Sequence, residues 1–209
     1  MTFLVDGPAP LDPQTIKGFL APEEGEALFR HARTAPGEGP FLEVGSWCGR
    51  SSVYLGRAAA ESNRVLFALD HHRGSEEHQP GEGYHDPDLF DAALGRVDTL
   101  PEFRRTIALA ELESRVFALV GPSAEIGRWW RTPLSFLFID GGHAMETALG
   151  DYRAWAGHVA RGGILAIHDV FPNPADGGRP PHEIWKLAVS SGLFEPFERV
   201  ASMEFLRRV

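Results

Sequence analysis

Apolar residues in this chain fall in short continuous runs separated by stretches with a helical period. Five runs, over 41–45, 64–70, 115–121, 134–140 and 162–169, have strand length and little polar alternation, the pattern of strands covered on both faces. Helices are predicted between them over 51–60, 99–112, 123–130 and 144–160. In the last, Met145, Ala148, Tyr152, Trp155 and Val159 recur at steps of three and four residues. A helix over 22–35 precedes the first run, and a helix over 182–191 and two short strands over 194–200 and 203–209 follow the fifth. Strand and helix alternating in this way predict an α/β domain with a mainly parallel sheet and helices on both faces.

Two segments break the rhythm. Residues 71–98 are polar, rich in glycine, histidine and acids, and read as a lid-like insertion. Residues 171–181 read as a second long loop. Both follow carboxyl ends of strands, where open α/β sheets bind ligands, and long loops in compact domains are usually functional. The pair Trp129–Trp130 at the end of a helix is expected to be core. With 209 residues, no internal repeat and no linker, the reading is a single domain over 1–209, with 1–38 as an N-terminal helical segment.

Composition narrows the class. Hydrophobic residues at 43% and charged residues at 23% fit an ordered globular protein rather than a disordered or fibrous one. The net charge of −9 argues against a nucleic-acid footprint. The lone cysteine, Cys48, excludes an intrachain disulfide framework. No apolar run nears the roughly 18 residues a membrane span needs, and the first residues lack a signal-peptide pattern. The expectation is a cytoplasmic protein with no membrane or nucleic-acid partner and a possible homodimer.

Chemistry first shows at the end of the first run. Gly45 and Gly49, in Glu-Val-Gly-Ser-Trp-Cys-Gly-Arg-Ser over 43–51, let the backbone turn sharply and approach a ligand. Ser51 is placed to cap the next helix. Asp70 ends the second run, 25 positions after Gly45. A glycine turn followed by a strand-end acid suits a nucleotide-type cofactor; ordinary strand-to-helix glycines are the other reading.

These residues, with Ala-Leu-Asp at 68–70, Ile-Asp-Gly-Gly-His at 139–143 and Ile-His-Asp-Val at 167–170, resemble the motifs of class I S-adenosylmethionine-dependent methyltransferases. The resemblance is to the subgroup of macrocin-type and other sugar O-methyltransferases, with cephalosporin-hydroxylase-like proteins as relatives. It implies a seven-stranded sheet of order 3-2-1-4-5-7-6 with strand 7 antiparallel. It also implies that Glu43, Gly45, Ser46, Gly49 and Ser51 hold the amino-acid end of S-adenosylmethionine, that Asp70 takes the ribose hydroxyls, and that Ser123 lies by the adenine, with Asp140 beside the cofactor.

Asp140 ends the fourth run, and His168 and Asp169 end the fifth. Neighbouring parallel strands share a rim, so these three are expected to form a divalent-metal site, with Mg²⁺ favoured and Mn²⁺ tolerated by the imidazole. The resembling metal-dependent enzymes carry an acid where His168 stands. Some place an acidic base where this chain has Gly142, and His143 is the nearest substitute. Methyl transfer to a hydroxyl needs its proton removed. Asp140 and His143 are therefore the catalytic candidates, with His143 as general base or, in the plainer reading, a helix cap.

The insertion supplies donors, acceptors and Tyr84 for stacking, which suits a sugar. His72, His78, Gln79 and His85 are its candidate substrate contacts, with the 171–181 loop as the opposite wall. The leading expectation is a metal-assisted sugar or oligosaccharide O-methyltransferase. Alternatives are a small phenolic acceptor, a non-haem iron oxygenase using His143, His168 and Asp140 or Asp169, and a non-enzymatic binding protein.

Overall fold

Seven strands build the main sheet of the computed structural model, which describes residues 11–142, 144–173 and 176–209. They are β1 (Phe41–Val44), β2 (Leu66–Asp70), β3 (Val116–Val120), β4 (Leu134–Ile139), β5 (Val159–Ile167), β6 (Phe194–Val200) and β7 (Met203–Arg208). Their order is β3-β2-β1-β4-β5-β7-β6, and β7 runs antiparallel to β5 and β6. The α/β class, the order and the antiparallel seventh strand are those the resemblance implied. The helices are α1 (Pro22–Arg33), α2 (Arg50–Glu61), α3 (Leu100–Leu109), α4 (Ser123–Trp129), α5 (Met145–Trp155) and α6 (Pro180–Ser190). Among the described residues, no helix is long and apolar enough to cross a membrane.

The period-two alternation of the strands sorts the core into two layers. Phe41, Ala68, Phe136, Phe138, Ala166 and Phe205 face the side of α1, α2 and α3. Leu42, Val44, Leu137, Ile139, Leu165 and Leu206 face the side of α5 and α6. The strands β1 and β4 are buried along their whole length, as continuous apolar runs should be. The strand β3 is not: Phe117, Ala118 and Val120 are exposed, because β3 is the sheet edge and α4 is too short to cover it.

Two element boundaries move. The predicted helix 144–160 stops at Trp155, and a 3₁₀ turn over Ala156–His158 leads into β5 at Val159. The helical spacing of Val159 carried the prediction past the turn, and the Gly162–Gly163 pair lies inside the strand, where register shifts against β4. The helix α2 starts at Arg50 with Gly49 as its N-cap, so Ser51 sits in the first turn instead of capping it. The tryptophan pair also divides. Trp130 packs against Phe67 and Trp155, but Trp129 is 81% exposed.

The 71–98 insertion is anchored. It folds as 3₁₀ turns over Glu76–His78 and Pro87–Leu89 and a small hairpin pairing Phe90–Asp91 with Arg96–Val97. Leu89 and Val97 reach into the core on the α1–α3 side. Lys17 ties its middle down through Asp86 at 2.6 Å and Asp88 at 3.0 Å.

Sheet register places the chemistry. Val44 pairs with Leu69 and with Ile139, and Ile139 pairs with Ile167. One step further along, Gly45, Asp70, Asp140 and His168 therefore stand on one rim.

Candidate active site

A cavity of about 760 Å³ opens over that rim, within the size range of small-molecule sites. The glycine turn forms its floor. Gly45 has φ +89°, and a Cβ there would lie 2.1 Å from the carbonyl oxygen of Asp140. Only glycine lets β1 and β4 end this close together. Trp47 follows in the left-handed region at φ 46°, a conformation that must be held by its surroundings.

Asp70 supplies the hold. Its Oδ2 accepts the amides of Ser46 at 3.0 Å and Trp47 at 2.8 Å, and its Oδ1 accepts the amide of His72 at 2.7 Å. A carboxylate has about four lone-pair positions, so Asp70, which lines the cavity, can still accept from a ligand. Ser46 and Ser51 also line the cavity. The Oγ of Ser46 is buried without a partner among the described residues, as expected of an atom that a ligand completes. These features fit the amino-acid end of the implied cofactor.

Two residues of the turn do not face the cavity. Gly49, at φ +95°, presses against Phe103 and Thr106 of α3. Glu43 is fully buried beneath the turn and bonds Ser52 of α2. Strand alternation explains this: Leu42 and Val44 point one way, Phe41 and Glu43 the other. Burial pushes the Glu43 carboxyl up to about 8, with hydrogen bonds from Ser51 and Ser52 opposing and the charges of Asp140 and Asp70 adding. Glu43 and Gly49 thus shape the turn from behind.

On the far side, Ser123 opens α4 and lines the cavity. Its Oγ accepts the indole N–H of Trp155 at 2.8 Å. Beside it stands Asp151, a residue sequence reasoning missed. Burial pushes its carboxyl up to about 6 against the hydrogen bond from Ser123. The available signal was an acid among Ala148, Tyr152 and Trp155, on the apolar stripe of α5.

Asp140, His168 and Asp169 converge. Each offers an oxygen or nitrogen such that the three ligand atoms lie within 4.8 Å of one another. The Nδ1 of His168 is 3.0 Å from Asp140 Oδ1 and 3.5 Å from Asp169 Oδ2. Adjacent ligands of an octahedral ion bound at about 2.1 Å stand about 3 Å apart, so this donor set fits Mg²⁺ or Mn²⁺ once His168 Nδ1 has given up the proton it shares with Asp140. The other ring nitrogen, Nε2, is 2.9 Å from Glu24 Oε2. Burial works against charge on His168, but Asp140, Glu24 and Asp169 outweigh it and hold the imidazole well above the usual histidine range. Glu24, on α1, was also missed. His143 lies outside the described residues.

The substrate candidates separate. His78 lines the cavity, its ring 4.1 Å from that of Trp47, and Tyr84 and Phe19 join it at the mouth, their rings 5.3 Å apart. The other three fasten the insertion. His72 is 1% exposed and bonds Thr99 through Nδ1 at 2.7 Å. The Gln79 amide donates to the carbonyls of Arg73 and Ser75, each at 3.0 Å. The His85 Nδ1 pairs with the His78 carbonyl at 2.9 Å. A polar loop without a core of its own has to satisfy its backbone, and these side chains do that. Among the described residues of 171–181, none lines the cavity.

Known proteins share this fold. Residues 42–170 match the methyltransferase-domain family. Among solved structures, the O-methyltransferase NovP superposes with a TM-score of 0.66 at 17% identity, covering 90% of this chain and 80% of that one. An O-methyltransferase from Bacillus cereus in complex with SAH gives 0.64 at 16% identity, covering 91% and 83%. The O-methyltransferase TomG from Streptomyces achromogenes, in complex with SAM, gives 0.63 at 15% identity, covering 91% and 82%. The glycine turn, the acid-tipped second strand and the seven-stranded order, together with a family match over most of the chain, place this protein in the methyltransferase-domain family with the class I methyltransferase fold.

Proposed function

We propose that the protein is an S-adenosylmethionine-dependent O-methyltransferase, assisted by Mg²⁺ or Mn²⁺, that methylates a hydroxyl of a sugar or oligosaccharide. The observation that carries this reading is the meeting of the glycine turn and the Asp140–His168–Asp169 cluster in one cavity. The SAH and SAM bound by the Bacillus cereus and Streptomyces achromogenes proteins support the cofactor.

The cofactor, when bound, supplies an electrophilic methyl group for an in-line displacement. Asp140, His168 and Asp169 would hold a divalent cation, which would lower the pKa of an acceptor hydroxyl. The chain does the rest. Ser46 and Ser51 bind the amino-acid end, Asp70 the ribose, and Ser123 with Asp151 the adenine edge. Asp140 and Asp169 provide the anionic oxygens that attract the cation, and His168 adds a nitrogen donor. His143 is the general base that receives the acceptor's proton, a task for which imidazoles are generally suited near neutral pH. Positioning of the hydroxyl by the cavity wall supplies much of the remaining rate.

The mouth supports a ring-shaped acceptor. Phe19, Trp47, His78 and Tyr84 offer ring faces, and Ser75, Glu76 and Glu77 offer polar groups beside them. The same rings favour a second reading, a small phenolic acceptor. Calorimetry with S-adenosylmethionine and its demethylated product tests the core of the proposal, and uptake of neither removes it. Methyl transfer to pyranosides and catechols, before and after chelation, tests the remainder. Transfer to pyranosides that chelation stops and Mg²⁺ restores is expected. Indifference to chelation removes the metal role, transfer to catechols alone selects the phenolic reading, and retained iron with oxygen consumption selects an oxygenase.

A further inference from the structure

The strand tips do not account for how His168 is held. Its Nε2 meets Glu24, a residue 144 positions away in sequence on α1. Both side chains are almost fully buried, at 5% and 4% exposure. Glu24 occupies the third position of α1, where a glutamate ordinarily reaches back to the helix N-terminus in water. Here it does that and more. Its Oε2 accepts the Ala21 amide at 3.2 Å as well as facing His168, and its Oε1 accepts the Ser202 amide at 2.9 Å and hydroxyl at 2.8 Å.

A buried carboxylate is costly unless fully hydrogen-bonded, and all four of these contacts converge on one side chain. The result is a rigid carboxylate with one partner that faces the site. With Nε2 engaged by Glu24, Nδ1 is the ring nitrogen turned toward Asp140 and Asp169. A carboxylate behind a ligating histidine fixes its tautomer and ring plane and strengthens it as a donor.

We infer that Glu24 is a positioning residue of the metal site, which presents His168 Nδ1 to a divalent cation held with Asp140 and Asp169. The inference rests on the metal-assisted reading above. It adds that the N-terminal helix is part of the site, and that His168 in place of a carboxylate is a working ligand because α1 supplies the missing negative charge from behind.

The test titrates metal-stripped full-length protein with MnCl₂ by calorimetry, comparing the parent with Glu24→Gln and Ser202→Ala. Glu24→Gln keeps the size of the side chain but removes its charge and turns one of its two accepting oxygens into a donor, and is expected to weaken Mn²⁺ binding by roughly 10- to 100-fold. Ser202→Ala loosens only the tie between Glu24 and the β6–β7 turn, and is expected to stay within about threefold of the parent. With CoCl₂ as the probe, the visible absorption of the parent should show a nitrogen donor that Glu24→Gln perturbs. Parental affinity in Glu24→Gln overturns the inference and leaves the metal reading intact. Equal weakening by Ser202→Ala also overturns it, since that would mark a merely structural anchor. Failure of the parent to take up Mn²⁺ overturns the metal reading and this inference together. Should circular dichroism show Glu24→Gln unfolded, Glu24→Asp, which retracts the carboxylate from Nε2, is titrated against the same criteria.

Discussion

The strand-tip rim and the 71–98 insertion are both rich in histidine and acid, yet their polar side chains do opposite work. On the rim, Asp70, Asp140, His168 and Asp169 come from three strands and converge, because parallel register stacks strand ends side by side. In the insertion, His72, Gln79 and His85 turn back onto their own loop or its base. The lesson is that polar residues become a site when a rigid scaffold satisfies the backbone for them. Where no ladder exists, side chains are consumed as hydrogen-bond partners.

Breaking the rim should cost most. Gly45→Ala puts a methyl group 2.1 Å from the Asp140 carbonyl at a positive φ. A loss of more than about 3 kcal/mol is expected, from overpacking and strain together. Urea unfolding checks it, and a near-parental midpoint would mean that β1 and β4 do not need this close approach.

Glu43 tests the underside of the rim through pH. Burial lifts its folded pKa to about 8, above the usual glutamate value of 4.5. The folded state therefore holds a proton that the unfolded state releases, and stability falls as pH rises from about 4.5 to 8 and is flat above. Glu43→Gln removes that slope and is expected to be more stable than the parent at pH 8 by roughly 2–5 kcal/mol, with little gain at pH 4.5. Thermal unfolding across this range decides, and a pH-independent difference between the two would refute the buried-carboxyl account.

In the insertion, His72→Gln should lower stability by about 1–3 kcal/mol through the lost Thr99 bond and buried packing. The affinity for the demethylated cofactor should stay near parental. Lost cofactor affinity in a stably folded variant would move His72 back into the site. The smallest effect belongs to Gln79→Ala, about 1 kcal/mol of stability with an unchanged acceptor KM. A raised KM at parental stability would restore Gln79 as a substrate contact.

Most of the fold was legible because it is written locally. Continuous apolar runs marked β1, β2, β4 and β5, and the helical period marked α5 up to the point where Val159, at a helical step, masked the turn after Trp155. The cluster of Asp140, His168 and Asp169 was legible too, since each ends a strand and strand ends meet. Asp151 and Glu24 were not. Glu24 reads as an ordinary capping acid and Asp151 as one acid beside the apolar stripe of α5, and only packing shows that each is buried against the site. Glu43 failed differently: the motif was right, but the side chain follows the alternation of β1 and points away.

By itself, then, the order of residues determined the alternation of strands and helices, the glycine turn and the identity of the strand-tip groups, since all depend on neighbours a few positions apart. Tertiary structure decided which groups meet. Glu24 reaches His168 across 144 positions, β3 lies exposed at the sheet edge, and the histidines of the insertion divide between the cavity and the ties that hold the loop. Those outcomes depend on strand order and helix packing, which bring distant residues together and are carried by no single stretch of the chain.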